Sequence, residues 1–318
     1  MADALRTPDE RFAGLPGWHY AARYCEDLEG YPGLRMHYVD EGPRDARVTF
    51  VCLHGQPTWS YLYRRMIPVF TAGGHRVLAP DLFGFGRSDK PVDEARYTFG
   101  FHRDALKRFF ERFDLVHACL VVQDWGGLLG LTLPMDYPER IDRLLIMNTG
   151  LGTGRSPGPG FDAWRAYAAA HPDLDIAALM LRATPQLPAA EAAAYAAPFP
   201  DSRYKAGVRR FPELVPTHPD MPGVETSRDA RDFLAQDWRG ESFMAIGLRD
   251  PVLGEPVMRA LQRQVRGCPE PMLLPQAGHF VQEWGEGVAR AALAHFRLAA
   301  PAAPASPAQS FPSDAGRG

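Results

Sequence analysis

An α/β fold, a mostly parallel and doubly wound sheet interrupted by a helical insertion, is what this sequence predicts. Three observations carry the expectation. Short apolar runs recur at Val48–Leu53, Arg76–Ala79, Leu120–Val122 and Leu144–Asn148, and each closes on a polar residue, a proline or a turn. Segments with apolar residues at helical intervals lie between them, most clearly Phe101–Phe113, and strands alternating with helices imply parallel pairing. From about Gly152 the texture changes, and no strand-like run returns until Ser242–Gly247.

Taken in order, Leu34–Asp40 alternates in character, as an antiparallel strand near a sheet edge should. Val48–Leu53 is almost continuously apolar, the pattern of a strand covered on both faces, and it runs into His54-Gly55-Gln56-Pro57. Arg76–Ala79 closes on Pro80-Asp81. The run at Leu120–Val122 meets Gln123-Asp124-Trp125, then two glycines, then a Leu-rich segment compatible with a helix. That reads as strand, sharp turn and helix. Gly152–Gly160 is rich in Gly, Pro and Ser and reads as a linker. Phe161–Tyr167, Ile176–Leu181 and Ala189–Ala197 then read as short helices cut by prolines. Strand signals return at Phe243–Ile246 and Pro271–Leu274, before a final helix over Glu286–Leu298. The expected division is a first core part over 1–151, a helical cap over 152–230, a second core part over 231–298, and a disordered Pro-, Ala- and Ser-rich tail over 299–318.

Composition bounds the function. The chain has 318 residues, 46% of them hydrophobic, with a net charge of −3, so it can hold a large core and shows no nucleic-acid footprint. No apolar run approaches a membrane span, and Met1–Phe12 has no apolar signal core. The four cysteines, Cys25, Cys52, Cys119 and Cys268, lack metal-ligand spacing, and Cys52 and Cys119 sit in apolar runs. A soluble, reduced, cytoplasmic protein with no metal, cofactor, nucleic-acid or membrane partner is the expectation.

In α/β sheets reactive groups gather beyond the carboxyl ends of the strands. Three candidates stand there in order: Asp124 at the sharp turn, Asp250 after Phe243–Gly247, and His279 after Met272–Leu274. That is nucleophile, acid, histidine, the chain order of a hydrolase triad, with Asp124 at the nucleophile elbow where a serine hydrolase carries Ser. Asn148 also ends a strand, but an amide cannot replace a carboxylate, which leaves Asp250 as the acid. Each residue has a plainer reading. Asp124 suits a helix N-cap, Asp250 suits a turn in Arg-Asp-Pro, and His279 suits a satisfied surface histidine.

The segments His54-Gly55-Gln56-Pro57-Thr58-Trp59, Asp81-Leu82-Phe83-Gly84-Phe85-Gly86-Arg87-Ser88, Val121-Val122-Gln123-Asp124-Trp125-Gly126-Gly127 and Gly278-His279-Phe280 resemble the haloalkane dehalogenases of the α/β-hydrolase fold. The likeness runs from about Leu5 to the last helix, and is strongest to the branch whose triad acid follows the strand after the cap. It implies hydrolysis of a small halogenated alkane to an alcohol and a halide ion. Asp124 would form an alkyl ester, and His279, oriented by Asp250, would activate the water that cleaves it. The backbone N–H groups of Gln56 and Trp125 would make the oxyanion hole. Trp125 and Trp164 would hold the halide, because an indole N–H is a donor without a competing acceptor. Gln56 departs from that branch, which often has Glu there, and its side-chain role stays open.

Phe161, Phe199 and Phe280 are expected on the apolar pocket wall, while Trp59 and Trp238 look like packing residues. The nearest rival is an epoxide hydrolase, which needs acidic O–H groups from the insertion; Tyr167, Tyr195 and Tyr204 lie there. Gln123, where epoxide hydrolases tend to have His, and Trp164 speak against it. A serine esterase is disfavoured by the missing Ser. A non-catalytic binder on the same fold is disfavoured by the intact triad.

Overall fold

The computed structural model describes residues 3–298; the tail expected over 299–318 lies outside them. The strands are β1 (Ala4–Leu5), β2 (Arg23–Cys25), β3 (Met36–Glu41), β4 (Thr49–Leu53), β5 (Arg76–Pro80), β6 (Lys90–Pro91), β7 (Ala118–Val122), β8 (Ile141–Met147), β9 (Glu241–Gly247) and β10 (Met272–Leu274). The helices are α1 (Ile67–Ala72), α2 (Phe99–Arg112), α3 (Trp125–Gly130), α4 (Pro159–Ala170), α5 (Ile176–Ala183), α6 (Ala189–Ala196), α7 (Ala206–Leu214), α8 (Val224–Gln236), α9 (Glu255–Gln262) and α10 (Gly285–His295).

Eight strands form one sheet in the order β10-β9-β8-β7-β4-β5-β3-β2, while β1 pairs with β6 in a separate ribbon. From β5 to β10 the neighbours are parallel; β3 joins β5, and β2 joins β3, antiparallel. The strand expected near the edge is therefore one place in from it. The edge strand, β2, was not foreseen, because three residues are too few to show alternation. Central position explains composition: every residue of β4 and β7 is buried, as strands covered by helices on both faces require.

α2 shows how local sequence makes a flanking helix. Thr98 Oγ1 accepts the free Phe101 N–H at 3.0 Å, capping the start. Phe99, His102, Ala105, Leu106, Phe109 and Phe110 then fall on one face and are buried.

Five helices, α4 to α8, are inserted between β8 and β9. α4 begins at Pro159, inside the stretch read as a linker, with proline at its first position where no N–H is needed. α7 and α8 were not expected. Pro212 inside α7 masks its periodicity, and α8 continues to Gln236, past the boundary expected at residue 230. α1 and α9, also unforeseen, are short and each carries a proline in its first turn. Among the described residues, no helix is long and apolar enough to cross a membrane.

Candidate active site

The corner between β7 and α3 is a strained point of the fold. Asp124 has φ 50° and ψ −126°, a conformation that costs a non-glycine residue free energy and persists only where its surroundings enforce it. They do so by close approach. A Cβ on Gly126 would stand 1.9 Å from Leu53 O, and one on Gly55 would stand 2.1 Å from Asp124 Oδ1. Only glycines let α3 and the loop after β4 close on this carboxylate.

Asp124 occupies the N-cap position of α3, yet its side chain takes no capping hydrogen bond from the helix. The plain capping reading therefore fails here. Asp124 Oδ1 accepts the Gln56 N–H at 2.7 Å, and Oδ2 faces His279 Nε2 at 3.5 Å. His279 Nδ1 pairs with Asp250 Oδ2 at 2.8 Å. The structure thus brings Asp124, His279 and Asp250 together from the ends of three strands.

Asp250 is held from several sides. Its Oδ1 accepts the N–H groups of Val252 (2.8 Å) and Leu253 (3.1 Å), and its Oδ2 accepts Asn148 Nδ2 at 2.9 Å. Asn148 is fixed in turn, donating to Gly247 O at 3.0 Å and accepting Gly247 N–H at 2.8 Å. Burial alone would raise the Asp250 carboxyl; the adjacent His279 and these donors lower it instead. Sequence reasoning set Asn148 aside as an amide. Its actual contact, a donor to the carboxylate, is made across 102 residues of chain and is invisible in local pattern.

Gln123 was also missed in this capacity. Fully buried, it places its Nε2 2.8 Å from His279 Nε2 and 3.1 Å from His279 O. Its Oε1 is buried with no partner among the described residues. A neutral Nε2 suits the N–H face of that amide, and a protonated one suits the carbonyl face.

Burial pushes the His279 imidazolium toward losing its proton, but the carboxylates of Asp250 and Asp124 outweigh it and raise the group to about 10. Part of that rise depends on Asp124 being charged. Neutralising Asp124 should therefore lower the His279 pKa. An Asp124→Asn variant followed by NMR titration of the ring should show a value below that of the parent. An unchanged value would mean that the two groups are not coupled.

The triad opens on a cavity of about 1090 Å³ lined largely by apolar residues, including Leu128, Phe161, Leu179, Val215 and Phe280. Trp125 and Trp164 are both on its wall. Trp125 is wedged against Phe211, ring centroids 4.5 Å apart. Neither indole N–H is spent on a protein acceptor among the described residues, whereas Trp59 Nε1 donates to Ala194 O (3.2 Å) and Trp238 Nε1 to Ser242 Oγ (3.1 Å). Gln56 lines the cavity too. Its Nε2 donates to Val208 O of α7 at 3.1 Å, and its Oε1 has no hydrogen-bond donor among the described residues. The backbone N–H of Trp125, in the first turn of α3, has no acceptor among the described residues, as expected of a helix start.

Phe199 departs from expectation. It is absent from this cavity and is buried against Phe85, with ring centroids 6.3 Å apart, beside a separate small cleft. The chain turns after α6, and that turn carries Phe199 toward the β5–β6 loop. Of the insertion's three tyrosines, Tyr167 alone lines the cavity. Tyr195 is buried in contact with Glu283, and Arg64 Nη1 donates to its hydroxyl at 3.0 Å. The paired phenols that epoxide opening requires are therefore not assembled. No group of three or more His, Cys, Asp and Glu is placed to hold a metal among the described residues.

The loop carrying Gln56 is braced from beneath. His54 Nε2 accepts Leu82 N–H at 2.9 Å, and Asp81 accepts the N–H groups of Ser60 (2.7 Å) and Arg87 (2.8 Å). Burial would raise the Asp81 carboxyl, but His37, 2.7 Å away, His54 and the Arg87 N–H hold it down at about 2. The long Asp81–Ser88 motif is thus structural support for the loop that donates to Asp124.

Residues 48–286 match the α/β-hydrolase fold family. A haloalkane dehalogenase of Mycobacterium marinum is 47% identical over 285 residues, spanning 88% of this chain and 95% of its own. One from Psychrobacter cryohalolentis is 42% identical over 296 residues, spanning 90% and 95%. The solved structure of a haloalkane dehalogenase from Paraglaciecola agarilytica superposes with a TM-score of 0.90 at 51% identity, covering 92% of this chain and 98% of that one.

Proposed function

The chain belongs to the haloalkane dehalogenases, hydrolases of the α/β-hydrolase fold that act on carbon–halide bonds, and we propose that it works through a covalent alkyl ester on Asp124. The observation that carries this is the Asp124 carboxylate itself. It sits at a strained corner, bonded through one oxygen to Gln56 N–H, with the other directed at His279.

A carboxylate is ionised at neutral pH without help from a base. Oδ2 attacks the carbon bearing the halogen, a C–O bond forms, and the C–halogen bonding pair leaves with the halide. Splitting the reaction in two lowers each barrier. The Trp125 and Trp164 indole N–H groups receive the halide. Both stand free on the wall of an apolar cavity, where a donor to an anion is strengthened by the low dielectric.

Once the ester forms, Asp124 no longer carries charge. The support it lent to the His279 imidazolium is withdrawn, and the ring can release its proton and serve as base. His279 Nε2 then takes a proton from water, whose oxygen attacks Cγ of the ester. Charge develops on Oδ1 and is stabilised by Gln56 N–H, with the unpartnered Trp125 N–H as the second donor. Collapse breaks the Cγ–Oδ2 bond, the His279 imidazolium gives the proton taken from water to the departing Oδ2, and the alcohol leaves with that oxygen. Asp250, held by Asn148 and two backbone N–H groups, keeps the His279 ring in register. The free Oε1 of Gln56 suits it to orient the water, while its Nε2 is occupied by Val208. Phe161 and Phe280 contact the substrate's alkyl chain, the helices between β8 and β9 form the cap over it, and the enzyme works in the cytoplasm.

The halide site has its own test. Halide addition should quench tryptophan fluorescence, and Trp164→Phe should weaken halide binding by roughly tenfold, the loss of one hydrogen bond to a charged group. Unchanged quenching in that variant would remove Trp164 from the site.

A further inference from the structure

The cavity offers more than the displacement chemistry uses. At about 1090 Å³ it exceeds what a short haloalkane fills. Its wall also carries three guanidinium groups: Arg155 between β8 and α4, Arg182 in the last turn of α5, and Arg249 directly before Asp250. All three residues are exposed.

None of them has a carboxylate within ion-pair reach among the described residues. Arg182 Nη2 donates to Tyr167 Oη at 3.3 Å and Arg249 Nε to Pro275 O at 3.0 Å, which leaves most of their N–H groups free. Many of the surface arginines elsewhere are paired with acids, Arg103 with Asp136 and Arg209 with Glu94 for example. Among the described residues, the only carboxylates on the cavity wall are Asp124 and Asp250, and both are engaged with His279.

The segments that carry Arg182 and Arg249 also approach each other. The carbonyl oxygens of Ala183 and Arg249 lie 3.0 and 3.9 Å from the point where a Cβ on Gly278 would stand. The end of α5 and the turn before Asp250 therefore meet beside the backbone of His279. Leu179, Phe161 and Phe280 supply apolar wall in the same cavity.

An apolar channel with a reactive carboxylate inside and unneutralised guanidinium groups on its wall matches a molecule with two different ends. Guanidinium groups recognise carboxylates through paired N–H donors, and uncompensated positive charge raises the local concentration of anions. We propose that the enzyme takes halogenated alkanes bearing a remote carboxylate, with the halogenated carbon at Asp124 and the anionic end at Arg155, Arg182 and Arg249. This rests on the displacement reading given above.

The test compares halide release from ω-bromohexanoate, its methyl ester and bromohexane. At low ionic strength kcat/KM for the carboxylate should exceed that for the ester by roughly tenfold, mostly through KM, and added salt should shrink the ratio. In an Arg155→Gln/Arg182→Gln/Arg249→Gln variant the ratio should collapse to near unity. A ratio of unity in the parent enzyme, or one that survives in the variant, overturns the assignment and leaves the displacement reading standing. Arginines that merely draw out product halide would change both substrates alike and preserve the ratio, which also overturns it. Release from none of the three compounds overturns both readings.

Discussion

Asp124→Ala should reduce halide release from a brominated alkane by on the order of 10⁴-fold or more, the scale seen when a covalent nucleophile is removed. Alanine removes both oxygens and leaves no nearby group to replace them. Asp250 is buried behind His279 and already accepts bonds from Asn148, Val252 and Leu253, so it cannot reach the substrate carbon. The fold should survive, since the Asp124 side chain caps no helix and its loss removes only the bond to Gln56 N–H and the contact with His279 Nε2. Circular dichroism and a thermal melt provide the control. Turnover within tenfold of the parent enzyme, with the fold intact, would mean that the carbon is attacked by something other than this carboxylate.

His279→Gln should separate the two halves of the reaction. Glutamine approximates the size of the imidazole and keeps a polar contact with Asp250, but it cannot accept a proton from water. The first displacement needs no base, so halide should appear in a single equivalent per enzyme and then stop. Ester hydrolysis should slow by roughly 10²–10⁴-fold, the range associated with losing a general base. Intact mass should show one alkyl group on the protein, and peptide mapping should place it on Asp124. Continued turnover at the parent rate, or a halide burst with no adduct, contradicts the assignment of His279 as base.

How much of this was legible in the chain follows from where the information lies. The strands at the centre of the sheet announce themselves because burial on both faces makes them continuously apolar, as Val48–Leu53 is. Each run also ends where a side chain emerges at the sheet's working edge. Asp124 stands out because two glycines follow it, and both the charge and the glycines violate what an ordinary core would place there. Gln123 and Asn148 carried no such signal. Their contacts are with His279 and Asp250, on chain that returns only after the whole insertion, and nothing in a local pattern marks an amide as a donor rather than a bystander. The helices α7 and α9 were obscured by Pro212 and Pro256. Phe199 misled for a related reason: an aromatic residue in the insertion is equally suited to line a cavity or to seal the insertion onto the core, and here it packs on Phe85.

The sharpest test of the ester follows the fate of water's oxygen. In a single turnover carried out in heavy-oxygen water, with enzyme in excess over substrate, the alcohol should carry ordinary oxygen taken from Asp124 Oδ2. The heavy atom should be found in the peptide containing Asp124. Alcohol labelled in that first turnover, with Asp124 unlabelled, would mean that water attacks the carbon directly and that no ester forms.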